Sequence, residues 1–226
     1  MKVIVTCGPS YEPIDQVRRL TNFSTGELGV QLSDELGKAG FEVFCLKGSC
    51  ATFPGPGANS HVRLFNTNDD LVRLLEQIGG THEIAAVFHV AALCDYKVKD
   101  VEDDQGNQRH SAKIASRSGG LTIHLEPATK VISGMRAIFP GSLLVGWKYE
   151  LEGTSEEAIA SGMRQIVENR TDACVVNGKA YGEGFAFCRP GRTMHPFRNK
   201  AKLVRFLSDW LTETIPGTRS ATDQAD

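Results

Sequence analysis

This 226-residue sequence lacks several patterns, and each omission removes a class of function. No apolar run approaches the roughly 20 residues that a membrane-spanning helix needs, so no membrane partner is expected. The opening "MKVIVTCG" is too short in its apolar stretch for a signal peptide and reads as a buried strand, which predicts a cytoplasmic protein. Neither charge sign dominates, with 25 Lys+Arg against 27 Asp+Glu and a net charge of -2. A nucleic-acid partner is therefore not expected, and any phosphate recognition has to be local. The six cysteines (Cys7, Cys45, Cys50, Cys94, Cys174 and Cys188) include no C-x-x-C pair, so a zinc or redox centre is not indicated. They read as reduced, packed thiols.

The common nucleotide signatures are missing too. After the first apolar run, "CGPSYE" offers one glycine and a proline where the dinucleotide fingerprint requires G-x-G-x-x-G. The acid expected after the second strand is replaced by "CLKGS", that is, Leu46, Lys47 and Gly48. G-K-[ST] occurs nowhere, which excludes a P-loop. A reductase with a Tyr-x-x-x-Lys pair is excluded as well, because the residues four after each tyrosine are Asp15, Asp100, Gly153 and Phe185.

What is present is a regular alternation of strands and helices. "KVIVTC", "FEVFCL", "IAAVFHVAAL", "SLLVGW" and "DACVVN" are continuous apolar runs of the kind buried on both faces of a parallel sheet. "HVRLF" and "LTIHL" read as shorter strands. Helical spacing links Leu28, Leu32, Leu36 and Ala39, with Gly40 closing the segment. Thr67 and its acidic neighbours start a helix with Leu71, Leu74, Leu75 and Ile78 on its core face. "TKVISGMRAIF" is helical, Thr154-x-x-Glu157 is a capping box, and Leu203, Phe206, Leu207, Trp210 and Leu211 carry the last helix. The fold class is α/β: a Rossmann-like, doubly wound, mostly parallel sheet with helices on both faces. Residues 1–214 form a single domain, 215–226 a frayed tail, and the charged segment 97–117 a mobile loop.

The stretch "RRLTNFSTGELG", Arg18 to Gly29, places glycine and hydroxyl residues where the first helix begins. Unpaired N–H groups and the helix dipole make such a start an anion site, and Gly26 and Gly29 permit close backbone approach. The same residues also fit a plain capping box, Ser24-x-x-Glu27.

"VTCGPSYEPIDQVRRLTNFSTGELG" resembles the opening of phosphopantothenoylcysteine synthetases, and "HVAALCDYKV", "SAKI", "VGWKYELE" and "CVVNG" are similar to that family's later blocks, in order, over residues 1 to about 190. The resemblance implies a ligase joining 4'-phosphopantothenate to L-cysteine in coenzyme A biosynthesis, with CTP or ATP, magnesium (Mg2+), an acyl-nucleotidyl intermediate and a homodimer. With no decarboxylase segment ahead of it, the chain reads as a free-standing form. The resemblance implies nucleotide contacts from Gly8, Ser24, Thr25, Gly26, Gly29, Asp95, Trp147 and Asn177, and Lys148 is a weaker candidate than Lys113 for neutralising developing charge. Substrate contacts would come from Arg18, Asn22, Ala91 and Ala92, and catalytic roles from Asn22 and Lys113. Departures are Glu126-Pro127-Ala128 in place of "NPD", Asn177-Gly178 in place of Asn-Asp, and a flap with fewer lysines. They leave the nucleotide open and allow a second reading, a family member that binds nucleotide or phosphopantothenate as a regulator without ligating.

Overall fold

The computed structural model describes residues 1–58, 60–109, 112–115, 119–192 and 194–215. The chain begins with β1 (Lys2–Cys7), whose Val3, Ile4, Val5 and Cys7 are wholly buried. A small antiparallel pair follows, β2 (Tyr11–Pro13) and β3 (Arg19–Thr21), and then α1 (Glu27–Lys38) and β4 (Glu42–Gly48). Next come β5 (Ser60–Phe65), α2 (Asn68–Gly79), β6 (Ile84–His89) and a long hairpin of β7 (Tyr96–Asp103) and β8 (Leu121–Pro127). The rest is α3 (Val131–Ile138), β9 (Leu143–Tyr149), α4 (Ser155–Asn169), β10 (Ala173–Asn177), β11 (Phe185–Cys188), β12 (His195–Phe197) and α5 (Lys200–Thr214).

Local chemistry sets the helix ends. Thr67 and Thr154 form capping boxes with Asp70 and Glu157. Helix α1 closes as expected, with Gly40 at positive φ, Phe41 N donating to Leu36 O and Gly40 N to Gly37 O.

The main sheet has the order β12-β11-β10-β9-β6-β1-β4-β5. The six strands from β10 to β5 are mutually parallel, and β11 and β12 are added at the other end through antiparallel pairings. One face is covered by α1 and α5, whose Leu32, Leu36, Leu203, Leu207 and Leu211 pack on Val3, Val5, Phe88 and Val175. The other is covered by α2 and α3 over Ile4, Phe44, Val87 and Leu144, and by α4 over Cys174 and Val176. Each buried side chain of this size contributes about 1.5–3 kcal/mol. This is the doubly wound sheet that the apolar runs imply. Five of the six cysteines are buried and all six are free, as packed thiols should be. Among the described residues no helix is long and apolar enough to cross a membrane.

The expected mobile loop at 97–117 is corrected in its first part, because Lys97 to Asp103 belong to β7. Its mixed charges are cross-strand partners: Lys97 lies 3.2 Å from Glu126, and His124 lies 3.3 Å from Glu102. Val101 is buried, and Asp103 turns the chain by accepting from Gln105 N and Asn107 N, each at 2.9 Å. His110, Ser111, Ser116, Arg117 and the tail from 216 to 226 lie outside the described residues.

At the end of β6 the buried His89 places Nδ1 2.9 Å from Thr6 Oγ1, and that hydroxyl accepts from Ala91 N at 3.2 Å. Accepting from Ala91 N leaves the hydroxyl proton free to donate to Nδ1 in the tautomer protonated at Nε2. Burial lowers the imidazole pKa from 6.5 to about 4. An unfolded chain takes up the proton near pH 6.5 and the folded one only near 4, so the stability from this group is present above 6.5 and is lost as pH falls toward 4. The expected slope approaches 1.4 kcal/mol per pH unit, roughly, within that window. In urea unfolding from pH 7 to 4, His89→Asn, which keeps an acceptor facing Thr6, is expected to flatten the profile relative to the parent. Superimposable profiles would rule out this role for His89.

Candidate functional site

The strand order reverses at β1, with β4 on one side and β6 on the other, and ligands of doubly wound sheets bind at the carboxyl ends beside such a reversal. A cavity of about 820 Å3 opens there. Its floor is Cys7 at the end of β1 and Gly8 just after it, Val90 to Leu93 beyond β6, Trp147 to Tyr149 of β9 and Asn177 of β10, and its wall is Asn22 to Gly29. A cavity of similar size, about 840 Å3, lies at the amino ends of the strands around Lys2, Ile84 and Leu143, and contains none of the residues expected to act.

The wall is built by close packing. A Cβ at Gly29 would overlap the Cys7 Cβ, and one at Gly8 would come within 2.6 Å of the Ala51 Cβ. Gly26, at φ +81, is the N-cap of α1 and offers no side-chain cap. The expected Ser24-x-x-Glu27 capping box is therefore corrected. Thr25 Oγ1 accepts from Glu27 N at 3.3 Å, and the Glu27 carboxylate turns instead to Gln31 Nε2 at 3.1 Å and to Lys200. Among the described residues the N–H groups of Leu28 and Gly29 have no hydrogen-bond partner, and both residues line the cavity. Two free donors at the positive end of a helix form an anion cradle.

Around the cradle stand groups with spare polar capacity. Asn22 donates from Nδ2 to Leu93 O at 2.7 Å, which leaves Oδ1 for a ligand. The Asp95 carboxylate and the Asn177 amide face the cavity with no side-chain partner among the described residues. Ala91 and Ala92 have their N–H groups bound to Thr6 Oγ1 and Gly8 O, which fixes the floor and leaves only small side chains above it. Trp147 lines the cavity, and its buried Nε1 lacks an acceptor. Lys148 pairs with Glu150 at 3.3 Å. The hydrogen bond with Cys45, together with burial, pushes the Cys7 thiol up, so it offers no thiolate. Among the described residues lining the cavity, no hydroxyl is hydrogen-bonded to a side-chain base that would activate it, so the arrangement suits binding and orienting an anion.

Two expected residues are not among those lining the cavity. Arg18 donates to Asp15 Oδ2 through Nε at 3.0 Å and Nη2 at 2.5 Å, and to Ile114 O at 2.7 Å. Asp15, with a nearly inaccessible side chain, also accepts from Ile114 N at 3.1 Å. The Arg18 guanidinium beside it holds its carboxyl well below the usual range. Lys113 is exposed on the segment this cluster docks. Conversely, the cavity recruits Phe23, Tyr149, Leu151, Phe185 and Lys200, which spacing did not reveal. Phe23, fully exposed at 108%, carried the one available signal, a large apolar residue inside a polar loop.

For a divalent cation, the unpartnered Asp95 beside the anion cradle fits Mg2+, which takes few protein carboxylates when phosphate oxygens complete its shell. Asp100, Glu102 and His124 bring ligand atoms within 4.8 Å of one another, but on the β7–β8 hairpin, and none lines the cavity.

Residues 1–203 match the family described as the DNA/pantothenate metabolism flavoprotein C-terminal domain. The coenzyme A biosynthesis bifunctional protein CoaBC of Thermococcus kodakarensis is 30% identical over 182 residues, covering 80% of this chain and 42% of the relative. The protein of the same name from Bacillus subtilis is 25% identical over 185 residues, covering 81% and 42%. The chain thus spans less than half the length of these two relatives. The fold is that of the DNA/pantothenate metabolism flavoprotein from Streptococcus pneumoniae, with TM-score 0.84, 23% identity and coverage of 95% and 100%. A Cab2 variant in complex with phosphopantothenate-cysteine has TM-score 0.73 at 14% identity, covering 94% of this chain and 85% of that one.

If the Gly29–Cys7 contact builds the cradle, Gly29→Ala is expected to destabilise by about 1–3 kcal/mol in urea unfolding, and pairing it with Cys7→Gly should recover part of that loss beyond additivity. Additive effects would show that the contact does not set the helix position.

Proposed function

The chain belongs to the family of DNA/pantothenate metabolism flavoprotein C-terminal domains, and from that premise we propose that it joins 4'-phosphopantothenate to L-cysteine with CTP or ATP. The observation that carries this reading is the pair of unpartnered N–H groups at Leu28 and Gly29, which with the Ser24 and Thr25 hydroxyls suit a polyphosphate. A site with anion donors and no activated nucleophile suits a reaction in which the substrates react with each other once aligned.

In this reading the phosphopantothenate carboxylate attacks the α-phosphorus. A P–O bond forms, the bond to pyrophosphate breaks, and the cysteine amine then displaces the nucleoside monophosphate from the acyl carbon as a C–N bond forms and the amine loses a proton. Asn22 Oδ1 orients the pantothenate amide and the acyl intermediate above Ala91 and Ala92. Trp147 and Asn177 border the base. Asp95 would hold Mg2+, which when bound neutralises triphosphate charge. Arg18 and Lys113, joined through Ile114, act on the substrate phosphate and the developing charge at a neighbouring site in a homodimer. The apolar residues exposed on the hairpin, Tyr96, Ile123 and Leu125, support such an association.

Pyrophosphate release should require phosphopantothenate, cysteine and one nucleotide together. Asn22→Ala is expected to lower kcat/KM by about 10²-fold while its melting temperature still rises on adding CTP or ATP. Product formation at the parental rate would refute the role of Asn22. Whichever nucleotide raises the parent's melting temperature at equal concentration, as mass action requires, is the substrate.

A further inference from the structure

We propose that Lys200 is a polyphosphate-binding residue of this cavity, kept in reserve by Glu27 until an anion takes the carboxylate's place. The proposal rests on the nucleotide reading above and adds a residue from the far end of the chain to it. Four charged side chains line the cavity: Glu27, Asp95, Lys148 and Lys200. Lys148 is satisfied by Glu150, which lies outside the lining. Lys200 is satisfied by Glu27, which occupies the first turn of α1 beside the free Leu28 and Gly29 N–H groups.

The placement of this pair fits anion exchange better than architecture alone. Lys200 is the first residue of α5, where Asn199 caps by accepting from Lys202 N at 3.0 Å. A cation there opposes its own helix dipole, whereas Glu27 sits at the favourable end of α1. The two helix starts thus converge on one spot, and a polyphosphate arriving at α1 would find a carboxylate already there. Each terminal phosphate oxygen carries the charge that Lys200 lacks when Glu27 withdraws. The withdrawing carboxylate has somewhere to go, since Glu27 also lines an adjoining recess of about 510 Å3 that contains the exposed Arg198. Both side chains remain partly accessible, at 44% for Lys200 and 32% for Glu27, so the exchange needs no unfolding.

The two partners should respond in opposite directions. Calorimetric titration of the full chain with CTP and ATP, each with magnesium, is compared with CMP and AMP. Lys200→Ala is expected to weaken triphosphate binding by about 10- to 100-fold, the worth of a charge-assisted bond, and monophosphate binding by less than about 3-fold. Glu27→Gln is expected to tighten triphosphate binding by roughly 3-fold, since removing the carboxylate relieves like-charge repulsion. Lys200→Met, which keeps the apolar stem, serves if the alanine variant is unstable. If Glu27→Gln weakens binding as much as Lys200→Ala does, or if neither changes the ratio of triphosphate to monophosphate affinity, the pair is a strut between α1 and α5 and the proposal is wrong. A parent chain that binds neither triphosphate overturns the nucleotide reading itself, an outcome distinct from parental binding that is insensitive to Lys200.

Discussion

The contact between Gly29 and Cys7 is the constraint on which the site depends. With no side chain at 29, α1 can begin directly against the end of β1, and a Cβ there has no room. Backbone donors are thereby brought to the strand ends at the point where the sheet order reverses. The same closeness recurs at Gly8 and Gly26, both at positive φ and both pressed toward Ala51. Gly8 lies in the first turn and Gly26 and Gly29 at the start of α1, so the close backbone approach that a dinucleotide site concentrates in its Gly-rich first turn is divided here between two places in the chain.

Charge is arranged around that backbone economically. The free N–H groups carry the permanent positive potential, while each lysine of the cavity is held by a carboxylate. In the proposed exchange, an anion would have to displace Glu27 from Lys200 to be bound there. Asp95 follows the same logic with opposite sign: its unpartnered carboxylate is costly next to a polyphosphate unless a cation lies between them.

Elements with strong periodicity were readable from sequence, and those defined by pairing were not. The buried runs of β1, β4, β6, β9 and β10 and the capping boxes at Thr67 and Thr154 announce themselves because each is fixed by residues within a few positions. Strand β7 did not, since its lysines and acids look like a solvated loop until β8 supplies their partners. Strands β11 and β12, at one end of the sheet, are only four and three residues long, too short for a pattern. The misread capping box has a similar cause: Ser24 and Glu27 have the right spacing, but Glu27 is drawn away by Lys200, 173 residues distant. Asn22, Ser24, Thr25, Gly26 and Gly29 could be named beforehand because they are contiguous. Lys200 and Phe185 could not, because only the return of the chain through β11 and α5 brings them there.

Arg18 shows why the periphery is continuous with the site. Its guanidinium satisfies Asp15 and holds Ile114 O, so the β2–β3 turn and the segment bearing Lys113 form one polar corner. Asp15 is almost inaccessible and accepts four kinds of donor at once, from Val17 N, Arg18 N, the Arg18 guanidinium and Ile114 N. Removing a carboxylate so heavily bonded leaves its partners unpaired, which is costly. Arg18 cannot both anchor this corner and swing into its own cavity. Its side chain stays 40% accessible at this corner.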